Sequence, residues 1–478
     1  MAQNLRFYAD IMAFHPGVTG SNLLVTVNYP NEEKEYFLVD CGLFQGEEQY
    51  IHLNEKLQFN PTKLLFALVT HNHTDHTGRL PFLVRKGFRK NIYLTKGTSL
   101  LIDSALEDSA KILKIDSKVL KKTKSPIYDF DDVKCTLPLL NGVDFNQTIQ
   151  VNEHIKVTFF MNGHLFGAAM ILVQISYEGE EDINILFTGD YNNKNMFFDV
   201  KPLHKWVRDL PLNIVIESTY GNTKSTDVKK VFKENTLNAI NANKIVVLPV
   251  FSLGRAQEAL CEIRKWQEEG CLPKDVPIDL AGKLSNTYTN IILNHEDVFY
   301  IKDELKNFIP ENFNYVSGDK LKDLILDKNR KIILTTSGMG TNGPAAVLLP
   351  EYVKNPNAVI HFMGYLEEHS RGYKIMNTPE GECIDFNGKM IPKYAKVYST
   401  SEYSAHAKSD ELIQLLNQFN NKRMVLINHG RIDIQEEFKK KVAQETDARD
   451  VGVFGGKYAY RINHCGYVKT LPLKLNIS

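Results

Sequence analysis

The order of apolar runs along the 478 residues predicts an α/β protein whose middle is built on a mainly parallel sheet. Two observations carry the fold class and a third points to the chemistry. Between 244 and 364, short β-branched runs alternate with helical ones. The stretch before this is β-rich with some helices, and the stretch after it is a short αβ tail. Finally, the apolar run LLFALVT at 64–70 leads straight into HNHTDH at 71–76.

In the front section NLLVTVNY (22–29), YFLVDCG (36–42) and LLFALVT (64–70) read as strands, because β-branched and aromatic residues dominate and turn residues bound each run. TSLLIDSALEDSAKILKI (98–115) reads as a helix with Thr98 as its N-cap. Strands follow at 155–161, 169–177, 183–190 and 213–219. In the middle, 244–250, 276–282, 331–338 and 357–364 are strands, with helices at 253–270, 283–295 and 346–354. The tail, from AKVYSTSEYS (395–404) through 408–419, 423–430 and a helix near 432–447, is αβ again.

Length and a hydrophobic share of 43% allow large cores. At roughly 100–200 residues per domain this suggests two or three domains. Lys+Arg and Asp+Glu both number 57, so the formal net charge is zero. A polyanion partner would therefore have to meet a local positive field rather than a basic coat. Cys41, Cys135, Cys261, Cys271, Cys383 and Cys465 are widely spaced with no CxxC pair. With no secretory leader in MAQNLRFYADIMAFHPG and no apolar run near about 18 residues, the expectation is reduced thiols, no membrane span and a cytoplasmic setting.

The histidine cluster is the strongest chemical signal. Imidazole and carboxylate suit a borderline cation such as Zn²⁺. Residues two apart on an extended strand end point the same way, so His71 and His73 could share one ion. After the chain turns, Asp75 and His76 could face another. His164 in NGHLFGAAM and Asp190 in LFTGDYN also end predicted strands. A lone histidine there is more often hydrogen-bonded or exposed, and an aspartate after glycine is more often a turn former. As partners of a dinuclear site they gain a purpose, since one carboxylate has two oxygens and can bridge two cations. His429, ahead of Gly430, is likewise placed as a strand-end ligand.

HNHTDH, His164 and Asp190 resemble the HxHxDH…H…D signature of the metallo-β-lactamase fold. Asp40 in LVDCG matches that family's first motif, a carboxylate that orients the cluster by hydrogen bonding from outside it. The fold hosts many reactions, so further motifs must discriminate. IVIESTYGN (214–222), LPVFSLGRAQE (248–258), TTSGMGTNGP (335–344), SEYSAHA (401–407) and VLINHG (425–430) resemble motifs of the β-CASP group. Its members include ribonuclease J, other bacterial and archaeal ribonucleases, and the endonuclease subunit of the eukaryotic pre-mRNA cleavage factor.

The resemblance implies an αββα metallo-β-lactamase sandwich (1–224 and 395–478) interrupted by an inserted β-CASP α/β domain with a mainly parallel sheet (225–394). By position, Glu217, His406 and His429 match motifs A, B and C. Two zinc ions per chain are then implied, one on His71, His73, His164 and Asp190, the other on Asp75, His76, Asp190 and His429. They would activate water for phosphodiester hydrolysis in the cleft between the two domains. Asp75, Glu217 and His406 are the implied catalytic residues: protonated His406 would serve the leaving oxygen, and Glu217 would raise its pKa. Histidine in motif C accompanies RNA enzymes in most members, so single-stranded RNA is the expected partner and DNA the alternative.

Ser252, Gly254 and Arg255, and likewise Ser337 and Gly338, read by pattern alone as a helix cap and a β-to-α turn; the resemblance makes both turns candidate phosphate sites. Phe251 and Tyr365 are candidates for base stacking, and the lysine runs 118–125 and 438–444 read as solvated helix faces. Three departures from the family pattern point to an atypical substrate preference: Lys408 stands where aspartate is common, Arg431 where glutamate is common, and GYLEEHSRG (364–372) replaces a commoner glycine-rich form. The competing readings are a dinuclear hydrolase of DNA or of a small ester or thioester, and a catalytically silent nucleic-acid-binding subunit. Self-association is left open.

Overall fold

The structure, a computed structural model, describes residues 7–15, 17–45, 51–119, 125–225, 231–364, 366–368, 370–400, 402–455, 458–463 and 469–472. The chain divides into two compact units. The first comprises Met1–Asn195, Asp199–Ser225 and His406–Ser478; the second comprises Met196–Phe198 and Thr226–Ala405.

Two sheets face each other in the first unit. One has eight strands in the spatial order Lys469–Pro472, Tyr458–Ile462, Tyr8–Ala13, Leu23–Asn28, Glu35–Val39, Leu64–Leu68, Ile92–Thr95 and Leu140–Val143. The other has seven, in the order Asp450–Val453, Asn421–Ile427, Pro211–Ile216, Ile183–Phe187, Ala169–Ile175, Ile155–Met161 and Thr148–Gln150. Phe37, Val39, Phe66 and Leu68 from one sheet meet Val157, Phe159, Ile171, Phe187 and Leu426 from the other in a single apolar layer. Leu38 and Ala67, on the outer face of the eight-stranded sheet, pack with Leu83 and Leu106 of the helices Leu80–Arg85 and Lys96–Val119. Leu186 and Ile214, on the outer face of the other, pack with Leu412 and Phe438 of the helices Ser409–Leu416 and Ile432–Glu445. Both sheets thus bury two faces, which is why their strands run apolar through several consecutive residues instead of alternating.

The second unit holds a six-stranded, wholly parallel sheet in the order Phe313–Val316, Ile278–Ala281, Lys331–Thr335, Ile245–Pro249, Ala358–Met363 and Lys396–Thr400. The alternation read in 244–364 is this sheet. Its last strand corrects an expectation: 396–400, assigned to the tail, pairs in parallel with 359–363, and the first unit resumes only at His406. A second correction concerns Thr98. The helix begins at Lys96, and it is the Thr95 hydroxyl that accepts the Thr98 N–H at 3.0 Å, so the cap lies three residues earlier. No helix among the described residues is long and apolar enough to cross a membrane.

What places the site is direction. Glu35–Val39 and Leu64–Leu68 are parallel neighbours, as are Ile183–Phe187, Pro211–Ile216 and Asn421–Ile427. Their carboxyl ends release Asp40, His71, Asp190, Glu217 and His429 at one rim, where α/β sheets place their ligand sites. The rim loops are stitched together by backbone: Cys41 N–H donates to the His76 carbonyl at 2.7 Å, Leu43 N–H to Thr74 at 2.9 Å, Ser21 N–H to Asp75 at 2.8 Å and Arg79 N–H to Cys41 at 2.8 Å. Gly42 makes this approach possible, since a Cβ there would lie 1.5 Å from the Asp75 carbonyl oxygen. Gly42→Ala should therefore cost about 2–3 kcal/mol by overpacking, read as a lower denaturant midpoint. An unchanged midpoint would mean that the two loops do not touch.

Candidate metal centre

The seven residues expected as metal ligands meet at this rim. His71 Nε2 lies 3.1 Å from His73 Nδ1, and His164 Nε2 lies 3.2 Å from that same atom. Asp190 Oδ2 is 3.5 Å from His71 Nε2 and 3.6 Å from His164 Nε2. On the other side, His76 Nε2 is 3.2 Å from His429 Nε2, 3.7 Å from Asp75 Oδ2 and 3.4 Å from Asp190 Oδ2. One oxygen of Asp190 therefore adjoins both groups. His71, His76, His164, Asp190 and His429 are buried; His73 and Asp75 are partly exposed.

The network behind the cluster assigns the protons. Asp40 accepts from the Thr70 amide at 2.8 Å and from the Thr70 hydroxyl at 2.9 Å. That hydroxyl has spent its only proton, so toward His71 Nδ1, 3.0 Å away, it can only accept. His71 consequently carries its proton on Nδ1 and turns the Nε2 lone pair inward. His76 Nδ1 is 2.7 Å from Asp40 Oδ2, so Nδ1 is the nitrogen that keeps its proton and Nε2 is the one that faces Asp75, Asp190 and His429. Asn162 braces two more members of the cluster, donating to the Asp190 carbonyl at 2.6 Å while its Oδ1 accepts the His164 amide at 3.1 Å. Thr219 Oγ1 lies 3.2 Å from His429 Nδ1. Thr70, Asn162 and Thr219 were missed in the sequence. Their only signal there is adjacency to a ligand-bearing motif, because hydrogen bonding from behind a site has no spacing of its own.

Electrostatics agree with a cation-binding role. Burial holds His71 below the usual histidine range and His73 at about 4, so both rings are neutral and each keeps one nitrogen lone pair to offer a cation. Burial also opposes charge on His76, but Asp190, Asp40 and Asp75 outweigh it and push it up. Asp75 is held at about 2: burial favours its acid form, but His76, a hydrogen bond from His429 and the charge of His73 overcome this. Asp190 is drawn well below the carboxylate range against its burial, chiefly by His429, His76 and His71. Its Oδ1 lies 3.2 Å from His429 Nδ1 and accepts no hydrogen bond among the described residues. Donor atoms 3.1–3.7 Å apart match the edge of a tetrahedron. With metal–nitrogen bonds of about 2.0–2.1 Å that edge is about 3.3 Å. Two groups, His71/His73/His164/Asp190 and Asp75/His76/His429, bring their ligand atoms within 4.8 Å of one another. The cluster is able to bind metal.

A further pair flanks it. Glu217 is buried; its Oε1 accepts the Tyr191 amide at 2.5 Å and its Oε2 lies 2.8 Å from His406 Nδ1. The Ala407 amide donates to the Tyr191 carbonyl at 2.7 Å, which ties the His406 loop to the same peptide. The His406 and His164 rings are 4.7 Å apart. Burial lowers the His406 pKa, but the charge of Glu217, its hydrogen bond, and Asp190 and Asp75 carry it up to about 9.

The expected phosphate contacts lie in the second unit. Gly254, at φ 83°, precedes the helix Arg255–Glu268, and its amide is capped by Gln257 Oε1 at 2.8 Å. The Arg255 guanidinium, expected to meet a phosphate, is instead turned inward: it is 7% exposed, ion-paired with Glu258 and set over the Tyr403 ring. Ser252 is partly exposed. Ser337 Oγ accepts the amides of Thr341 and Asn342, both at 3.3 Å. Gly338 lies under the exposed Phe251 ring. Tyr365 and lysines 121, 122 and 124 lie outside the described residues. Arg431 is paired with Asp433.

Because Asp40 orients two ligands at once, Asp40→Ala should weaken metal affinity about 10–100-fold. Competition against a chromogenic chelator measures this, and an affinity within twofold of the parent would contradict the assigned network.

Three family profiles match the chain: the metallo-beta-lactamase superfamily over residues 17–191, the Beta-Casp domain over 256–375, and the Zn-dependent metallo-hydrolase RNA specificity domain over 390–453. Among similar curated proteins, the endoribonuclease ysh1 of Schizosaccharomyces pombe is 28% identical over 83% of this chain and 51% of its own length. The transcription termination factor FttA of Methanosarcina mazei is 27% identical over 86% of this chain and 66% of its own. A ribonuclease of Thermus thermophilus is 27% identical over 82% of this chain and 87% of its own. The chain thus spans about half of the first relative, two thirds of the second and most of the third. From its metal cluster, its inserted parallel sheet and these matches, the chain belongs to the β-CASP group of the metallo-β-lactamase superfamily.

Proposed function

We propose that this protein hydrolyses phosphodiester bonds of single-stranded RNA with two zinc ions. The observation that carries the reading is the Glu217–His406 pair set against a cluster of metal-ligand type. His71, His73, His164 and Asp190 would hold one ion, and Asp75, His76, Asp190 and His429 the other. When bound, the ions lower the pKa of water toward neutrality and neutralise charge on phosphoryl oxygens.

The chain's own residues do the rest. Asp40 and Thr70 fix the tautomers of His71 and His76, so the lone pairs point inward without reorganisation. Glu217 holds His406 by Nδ1, which makes Nε2 the nitrogen that presents a proton. An imidazolium there can protonate the departing ribose oxygen and stabilise charge on the phosphate. Ester hydrolysis by metal alone would not call for such a pair. RNA rather than DNA is supported by the match to an RNA specificity domain and by relatives named as ribonucleases. Ser252, Gly254, Ser337 and Gly338 keep a proposed role in phosphate contact through their glycine-rich turns. A reducing cytoplasm as the setting rests on six cysteines without a CxxC pair.

His406→Ala should lower turnover of RNA by about 10²–10⁴-fold with zinc content unchanged, whereas His73→Ala should lose both activity and bound zinc. End-labelled RNA and DNA of one sequence, bearing different 5′ ends, give the rate, the substrate preference and the polarity together. Equal cleavage by parent and both variants would overturn the assignment. Turnover of a small ester without cleavage of either nucleic acid would transfer the site to the competing reading.

A further inference from the structure

The loop that carries His406 also carries a cation. Lys408 is partly buried, and its ammonium lies 3.7 Å from the centroid of the Tyr220 ring. That ring meets the His406 ring edge-on at 6.1 Å. The ammonium is therefore within about 10 Å of the His406 ring, the most that the two separations allow. Its position is set by backbone: Tyr220 and Lys408 form a parallel bridge, and the Ser409 amide donates to the Thr223 carbonyl at 2.8 Å.

The acidic side chains nearby are engaged elsewhere. Glu411 pairs with the Lys194 ammonium and accepts the backbone amide of Lys408 at 2.7 Å. Asp410 accepts the Ser225 amide at 2.8 Å. Among the described residues, no carboxylate forms an ion pair with Lys408. Glu411 and Asp410 act on the ammonium only through space, so, held on an aromatic face, partly withdrawn from water and without a paired carboxylate among the described residues, it is prepared to receive an anion. A single-stranded nucleic acid delivers such an anion at every nucleotide.

We propose that Lys408 binds the phosphate adjacent to the scissile one, with Tyr220 holding the ammonium in place. The inference rests on the nuclease reading above and adds to it a specificity-determining residue. Lys408 would favour a polynucleotide over an isolated phosphodiester, because only the polynucleotide has a neighbouring phosphate to offer. The bland alternative is that Lys408 merely staples the 218–223 loop to the 406–409 loop through its apolar stem.

The zinc-loaded full chain, Lys408→Met and Lys408→Arg distinguish the two. Each is assayed on a single-stranded RNA oligonucleotide and on bis(p-nitrophenyl) phosphate over a series of salt concentrations. Methionine keeps an apolar stem on Tyr220 and removes the charge. The proposal predicts that the ratio of kcat/KM on RNA to that on the small diester falls about 10-fold in Lys408→Met, mainly through KM, and returns in Lys408→Arg. The salt slope of RNA binding should become shallower by about 0.7, one phosphate's worth for a single strand. An unchanged ratio and slope, whether both activities persist or both fall together, would overturn it. A parent protein that cleaves the diester but not RNA overturns the nuclease reading and this inference with it, whereas cleavage of RNA with an unchanged ratio overturns this inference alone.

Discussion

Histidine rings and ionised carboxylates that converge in a space largely closed to water form the constraint around which the first unit is built. His71 Nε2, His73 Nδ1 and His164 Nε2 stand within hydrogen-bonding distance, and burial keeps His71 and His73 neutral. Asp190 and Asp75 add negative charge beside them and stay ionised against the same burial. Neutral imidazoles beside buried, ionised carboxylates are a donor set that a cation would compensate, so the arrangement makes chemical sense as a metal centre.

Keeping that cluster preorganised is the work of the rim. Parallel strands deliver its members from distant parts of the chain, and Asn421–Ile427 returns beside Pro211–Ile216 after the whole second unit has been inserted. Two residues accept a left-handed backbone to fit, Asp40 at φ 62° and His429 at φ 48°. Neither is glycine, so both positions are strained and the surrounding hydrogen bonds must hold them. Asp40 is held through Thr70 and His76, and the Ser218 hydroxyl donates to the Asn428 carbonyl at 2.8 Å, just before His429. Strain at these two residues and the close approach at Gly42 mark where the fold gives up conformational freedom to place ligands.

Much of this was legible before the structure. The candidate ligands announce themselves because metal chemistry admits few residue types, and strand ends give them a common address. His71, His73, His164 and Asp190 meet as their motifs suggested. The alternation in 244–364 announced the parallel sheet, since buried strands and amphipathic helices have different periods. Sequence reasoning failed where the deciding partner was remote. Arg255 follows a glycine at a helix start and looked ready for phosphate, but Glu258 one turn on and Tyr403 far along the chain claim it. Strand 396–400 follows a hairpin and looked like part of the tail, but its pairing with Ala358–Met363 is a tertiary fact. Thr70 and Asn162 act through hydrogen bonds whose geometry no local pattern records.

The account depends on cations occupying this cluster in two adjacent positions with Asp190 between them. Crystals of the protein purified without chelator, with diffraction recorded on both sides of the zinc absorption edge, test this directly. The account predicts two anomalous peaks, one among His71, His73, His164 and Asp190 and one among Asp75, His76, Asp190 and His429. The absence of any peak at the cluster, or a single one remote from Asp190, would contradict it.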